Sequence, residues 1–595
     1  MIRVAGASGF WGDSAIAVPQ LLAETIDYLT FDYLAEITMS ILARARAKDP
    51  DAGYAADFVT LIGRHLETIA ARGIKVLANA GGVNPAACAR ALEARIVEAG
   101  LSLKVAVVTG DDLITDADAL RAAGITEMTT GAAMPDALLS LNAYLGATPI
   151  AAALGAGADI VVTGRCVDSA LALGACIHAF GWKTDDFDRL SAGSLAGHII
   201  ECGAQATGGI HTDWEETGDW ANIGYPIVEI AEDGSFTVTK PAGTGGLVSV
   251  GTVAEQLVYE IGDPRAYLLP DVRCDWSEVT IRQTGSDRVA VEGARGGPPT
   301  GSYKASATWQ DGFRVGAYYM IGGIDAVRKA ERVADAVLRR TEAMLKAAGL
   351  PPYSRTSVEI IGSETSYGAA SRARGAREVM LKLAACHPQP KALELLVREF
   401  TSAGTSMAPG FTGMGGNRPK VTPVVRLFSC LIPKGRIQPE IGIGGVQHSV
   451  PGATVGEDIA APAPVTPCDA LPAGATETVP LIALAFARSG DKGNNANIGV
   501  IARHPDYLPF IRAALTPQTV AAHFAHYLQG PDREGQVERF DLTGVHGLNF
   551  LLHDVLDGGG IASLRNDPQG KAYAQILLDV LVPVTPAVAE AVSSK

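Results

Sequence analysis

Short apolar runs alternate with alanine-rich amphipathic stretches through the first 170 residues. "IRVAG" leads into "SAIAVPQLLAETI", "YLTFDYL" into "AEITMSILARARA", and "IKVLANAGG" into "NPAACARALEARIVEAG". "LKVAVVTGDD" precedes another short helical stretch, and "ADIVVTG" precedes "RCVDSALALGACIHAFG". Unbroken apolar strands separated by helices are what a parallel sheet buried on both faces requires, so the pattern predicts an α/β domain. Polar residues and glycines collect just after each strand, at 8–13, Glu36, 79–84, 110–112 and 164–168. In open α/β sheets the carboxyl ends of the strands border the ligand crevice, although any strand must turn there.

The pattern changes beyond residue 250. A strand-rich stretch holding "GSYKASATWQDGFRVGAYYMIGG" precedes a long amphipathic run, "IDAVRKAERVADAVLRRTEAMLKAAG". This predicts an α+β region over 251–450, packed on an α/β region over 1–250. Residues 451–478 are rich in Pro, Ala and Gly and read as a linker. Residues 479–595 then form a compact α+β unit of ferredoxin-like type. Its expected elements are strands "LIALAFARSG" and "NIGVIAR", a helical stretch, strand "VERFDL", helix "HGLNFLLHDVL" and strand "ILLDVLVPV".

Charge narrows the function classes. The formal net charge is −15 and no Lys/Arg-rich run occurs. This excludes a basic footprint for nucleic acid or an anionic membrane. The eight cysteines include no C-x-x-C pair, which with the lack of a secretory leader predicts free thiols and a cytoplasmic setting. The most apolar stretch, "AYLGATPIAAALGAGADIVVTG", is interrupted by glycines, Pro149 and Asp159, and reads as a helix followed by a strand rather than a membrane span. A multi-domain chain with 47% hydrophobic residues is expected to form a homo-oligomer.

"GASGFWGD" spaces its glycines G-x-x-G-x-x-G, unlike the G-x-G-x-x-G of a dinucleotide turn, and Phe10-Trp11 would crowd a pyrophosphate. Gly9, Gly12 and Asp13 are therefore candidates for contacts to another anion or substrate. The densest constellation is "SLAGHIIECGAQATGGIHTDW". His198 and Glu201, three residues apart, share a helix face and suit an acid/base pair, ligands to a divalent metal, or a structural hydrogen bond. Just upstream, Arg165 and Asp168 follow a buried strand; the first suits a carboxylate or phosphate, or the two pair with each other. Glu36, Asn84, Lys240 and Thr244 complete the substrate-binding candidates of this region, the last two beside a glycine turn. "RSGDKGNNANIGV" adds Arg488, Asp491 and Lys492 in a loop suited to a ligand or to subunit docking.

These stretches, with "LAGHIIECGAQATGG", "KPAGTGGLV" and "FTGMGGNRPKVTPVVRL", resemble the acyclic terpene utilisation (AtuA-like) family over nearly the whole chain. The resemblance implies a ferredoxin-fold C-terminal module and a place in citronellol or geraniol breakdown beside acyl-CoA carboxylases. The activity it implies is a hydratase or carbon–carbon lyase step on a branched (hydroxy)acyl-CoA or its free acid. Such a reaction passes through an enolate, for which His198, Glu201 and Asp168 are the acid/base candidates. Arg165 or Lys240 would grip a carboxylate, and the amides near Gly6–Gly12 would serve as oxyanion donors. The rival expectation is a non-catalytic partner of a biotin-dependent acyl-CoA carboxylase.

Overall fold

The computed structural model describes residues 1–413, 418–451, 456, 469–528 and 530–593. Most of the expected linker over 451–478 and part of "FTGMGGNRPKVTPVVRL" lie outside the described residues. Five strands form a parallel centre: β1 (Ile2–Gly6), β2 (Tyr28–Phe31), β3 (Lys75–Ala78), β4 (Val105–Thr109) and, after β5 (Ser140–Ala143) in a different sheet, β6 (Ile160–Thr163). Their spatial order is β1-β2-β3-β6-β4. Alternate residues feed opposite cores. Leu77 and Val161 pack with helices Thr148–Gly155, Ala170–Phe180 and Phe187–Ile200, while Val76, Ala78, Ile160 and Val162 pack with Ala56–Gly63 and Pro85–Glu98. Burial on both faces is why these strands carry no polar alternation.

Antiparallel strands extend the centre on both sides into an 11-stranded sheet. β7 (Ile227–Ile230) and β8 (Phe236–Thr239) continue from β1, followed by Arg288–Glu292 and Thr280–Gly285. Glu440–Ile443 and Val446–Ser449 continue from β4. The stretch 251–450 is therefore interleaved with the first sheet rather than simply layered on it.

The second sheet is organised by one 21-residue strand, Ser302–Gly322. Its first half pairs with β5 and its second half with Glu378–His387, and Thr422–Pro433 runs along most of its length. Helices Ala326–Ala347 and Pro390–Ser406 cover the outer lobe. Among the described residues no helix is long and apolar enough to cross a membrane.

The C-terminal unit is a four-stranded antiparallel sheet in the order Ala485–Lys492, Asn495–Ala502, Gly547–Leu552, Val537–Leu542. The stretch expected as helix "HGLNFLLHDVL" is a strand here, pairing on both sides. Leu548, Phe550 and Leu552 enter the domain core while Asn549 is buried on the opposite side, so the segment lacks the exposed face that marks a strand in sequence.

This domain docks on helix Val250–Leu257 and the residues that follow it. Asn497 donates to Val258 O at 2.6 Å and accepts from Glu260 N at 2.9 Å. Asn549 donates to the carbonyls of Ile261 (3.0 Å) and Gly262 (2.7 Å).

Candidate functional site

The loops at the carboxyl ends of β1, β2, β3 and β6 meet the C-terminal end of helix Phe187–Ile200. Small residues permit the approach. A Cβ on Gly9 would lie 2.6 Å from the carbonyl carbon of Cys202, one on Gly6 2.5 Å from Ile200 O, and one on Gly197 2.6 Å from Ser169 O. The glycines of the opening loop thus bring backbone against backbone, and Gly12 adopts φ +98°. Several amides there are already engaged: Gly6 N with Pro226 O, Ala7 N with Thr30 O, and Gly9 N with Asp13 Oδ2 at 2.9 Å. Asp13 also accepts from Ser14 N and the Tyr225 hydroxyl, each at 2.6 Å, so it holds the loop's shape.

A small cavity at this junction is lined by Ser8, Thr30, Asp32, Asp168, Gly197 and Glu201 among others. Asp32, one residue past β2, is buried and takes a 2.5 Å hydrogen bond from Asn79 Nδ2. Asn79 is fixed in turn by Tyr33 N at 2.7 Å. Burial, then the Asp168 carboxylate, push Asp32 well above the usual carboxylate range against the pull of Arg165 and Asn79. Burial also raises Glu201, with Asp168 adding to it and His198 opposing. His198 Nδ1 lies 2.9 Å from Glu201 Oε1, with Trp276 and Tyr267 beside the ring. Its buried Nε2 has no hydrogen-bond partner among the described residues.

Arg165 links this cavity to a second one. Its Nη1 donates to Asp168 Oδ1 at 2.7 Å and to Cys166 O at 2.8 Å, and its guanidinium lies 4.1 Å over the Tyr144 ring. Tyr144 donates to Glu36 Oε1 at 2.6 Å, and Lys304 Nζ stands 4.0 Å from the same oxygen. Burial alone would raise Glu36; Lys304, Arg165 and the Tyr144 hydroxyl outweigh it and bring it down to about 2. The side chains of Asp168, Glu36 and Lys304 stay 35%, 30% and 39% exposed, so they are the solvent-facing floor of the cleft. Lys492 of the C-terminal domain overhangs it, its Nζ 6.0 Å from the Tyr267 ring centre.

The remaining candidates lie in other surroundings. Asn84 caps helix Pro85–Glu98 through Ala87 N and donates to Pro50 O and Ala52 O. Lys240 donates to Thr244 O at 2.8 Å and pairs with Asp287 at 3.2 Å, and Thr244 donates to Pro241 O, so together they pin a turn. Arg488 pairs with Glu255 at 2.6 Å, and His211 Nδ1 contacts the other Glu255 oxygen at 2.9 Å, in a buried domain interface apart from the His198–Glu201 pair. Asp491 shares Lys571 with Glu260 at the same interface; burial, then Glu260, raise it to about 7. Much of the polar loop expected to meet a ligand or a separate subunit therefore docks the domain on its own chain. Burial pushes the Cys166 thiol up to about 12, a poor nucleophile. Among the described residues no three His, Cys, Asp or Glu side chains converge as a metal centre requires.

The apolar run "YLTFDYL" spans Asp32, and the sequence motifs do not single out Tyr144, Tyr267 or Lys304. The even spacing of Lys304, Ser306 and Thr308 in "KASAT" was the available signal for the last.

Fold and site define an α/β protein with a carboxylate-lined cleft, bordered by a cation from a small C-terminal domain. The chain belongs to the acyclic terpene utilisation family: the model for "Acyclic terpene utilisation family protein AtuA" matches residues 2–443, and that for the "AtuA ferredoxin-like domain" matches 479–583. No curated protein and no solved structure matches it.

Proposed function

We propose that the cleft carries out acid–base chemistry of hydratase or lyase type on a branched (hydroxy)acyl-CoA or its free acid, as a step in acyclic terpene breakdown. The observation that carries this reading is the gathering of Asp32, Asp168 and the Glu201–His198 pair beside Arg165. Carboxyl groups whose surroundings set their proton affinities apart can divide the roles of acid and base. Asp32, whose hold on its proton is strengthened by burial, supplies a proton to a departing hydroxyl or a forming carbon acid. Glu201, oriented by His198, removes one from the carbon next to the carbonyl. Arg165, Lys304 and Lys492 place positive charge where an enolate or a distal carboxylate would form.

The test is turnover of a panel of branched 3-hydroxyacyl-CoA and enoyl-CoA thioesters, with products read by mass spectrometry. Glu201→Gln and His198→Ala should each reduce turnover by roughly 10²–10⁴-fold. Full turnover in both would overturn the assignment. Failure of the wild-type protein on the whole panel, with a carboxylase subunit co-purifying, would replace the reading with that of a carboxylase partner.

A further inference from the structure

Beside the carboxylate-lined cavity, two strands far apart in sequence present a polar face to the interior. β5 places Ser140 and Asn142 on one side and buries Leu141 and Ala143 on the other. Ser302–Gly322 does the same with Ser306 and Thr308 against Ala305 and Ala307. Their register sets Asn142 opposite Ser306 and Ser140 opposite Thr308. All four are buried, at 2%, 8%, 4% and 1% exposure respectively, and they line a cavity with Tyr144 and Arg165. A polar sheet face turned inward needs partners for its groups, because each unpaired buried polar atom costs ~1–3 kcal/mol.

Most of those partners are present. Ser140 and Thr308 share a 2.7 Å hydrogen bond, and Ser306 lies 3.1 Å from the Tyr144 hydroxyl. Asn142 Nδ2 donates to Asp111 Oδ2 at 2.9 Å. That oxygen also accepts Arg165 N at 2.8 Å. The other end of the amide, Asn142 Oδ1, is buried and has no hydrogen-bond partner among the described residues. The unpaired acceptor therefore belongs to a side chain that lines the same cavity as Arg165.

We infer that Asn142, with Ser306 opposite it, forms a subsite that recognises a hydroxyl group on a ligand whose anionic or carbonyl end meets Arg165. The ligand class is a hydroxy acid or hydroxyacyl compound rather than its deoxy counterpart. The inference rests on the reading given under Proposed function and names the groups that would select its substrate.

The test compares binding of 3-hydroxybutyrate and butyrate, each as free acid and as CoA thioester, by calorimetry. Wild-type protein should favour the hydroxylated member of a pair by roughly tenfold, the scale of one hydrogen bond to an otherwise orphaned group. Asn142→Leu should reduce that preference to within about twofold. Ser306→Ala, which leaves Asp111 and Glu36 their partners, should reduce it partway and covers the case in which the first variant does not fold. No preference in wild type, no binding of either member, or a preference unchanged in a folded variant overturns the subsite and leaves the acceptor to a bound water. Absent preference with thioester turnover intact counts against the subsite alone. A clear preference in a protein that turns over no thioester counts against the proposed reaction alone.

Discussion

Arg488 of the C-terminal domain meets Glu255 of helix Val250–Leu257 through Nη2 and Oε2 at 2.6 Å, with both side chains almost wholly removed from solvent. Burial opposes ionisation of Glu255, yet Arg488, His211 and Thr212 together hold its carboxyl below the usual range. Taking one partner from such a pair leaves an uncompensated buried charge. Arg488→Met should therefore cost about 3–5 kcal/mol. Denaturant unfolding followed by tryptophan fluorescence and by far-UV circular dichroism would report it. The double variant Arg488→Met/Glu255→Met should recover part of the loss.

Asp111 sets a pH dependence. Burial raises its carboxyl to about 7, although Arg165 N and Asn142 donate to it. The folded protein thus holds this proton more tightly than the unfolded chain does. The contribution is fully present below the unfolded value near 4 and is lost as pH rises through about 7. With a difference of about three units, its upper bound is ~4 kcal/mol. Asp111→Asn, which keeps an acceptor for both donors, should flatten the fall in unfolding free energy between about pH 4 and 7. A slope identical to wild type would refute this.

Gly197 lies where helix Phe187–Ile200 touches Ser169. Gly197→Ala must shift one of the two backbones, at a cost of about 1–3 kcal/mol. Because Ser169 follows Asp168, the substitution should also impair turnover more than its effect on melting temperature suggests.

Lys492 has no role in docking comparable to that of Arg488. Lys492→Met should leave the melting temperature within about 2 °C of wild type, since solvent-facing substitutions usually change stability by less than ~0.5 kcal/mol. Its effect should fall on ligand binding, weakening an anionic thioester by roughly tenfold at low salt and less at high salt.

Local patterns carried the parallel sheet and the address of the cleft. The loops after β1, β2 and β6 contribute Ser8, Asp32, Arg165 and Asp168 to its walls. The His198–Glu201 and Arg165–Asp168 contacts were also legible, since each spans three residues. What sequence reading lost was non-local. Nothing in "SLNA" indicates that Ser140 will lie against Thr308, 168 positions away, and so the polar wall between them went unseen. Arg488 looked like a ligand group because Glu255, which neutralises it, lies 233 positions upstream. Gly547–Leu552 was misread for a different reason. A central strand covered on both sides has neither the alternation of a half-exposed strand nor the stripe of a helix.

The contacts made by Asn497 and Asn549 have a further consequence. Both amides bond to peptide groups of residues 258–262 and not to their side chains. At these contacts the C-terminal domain reads the contour of the main chain, alongside the side-chain contact of Lys571 with Glu260. These contacts depend on the path of the chain, so a single proline at Glu260, which removes the donor to Asn497 and cannot adopt the φ of +55° found there, should release the grip.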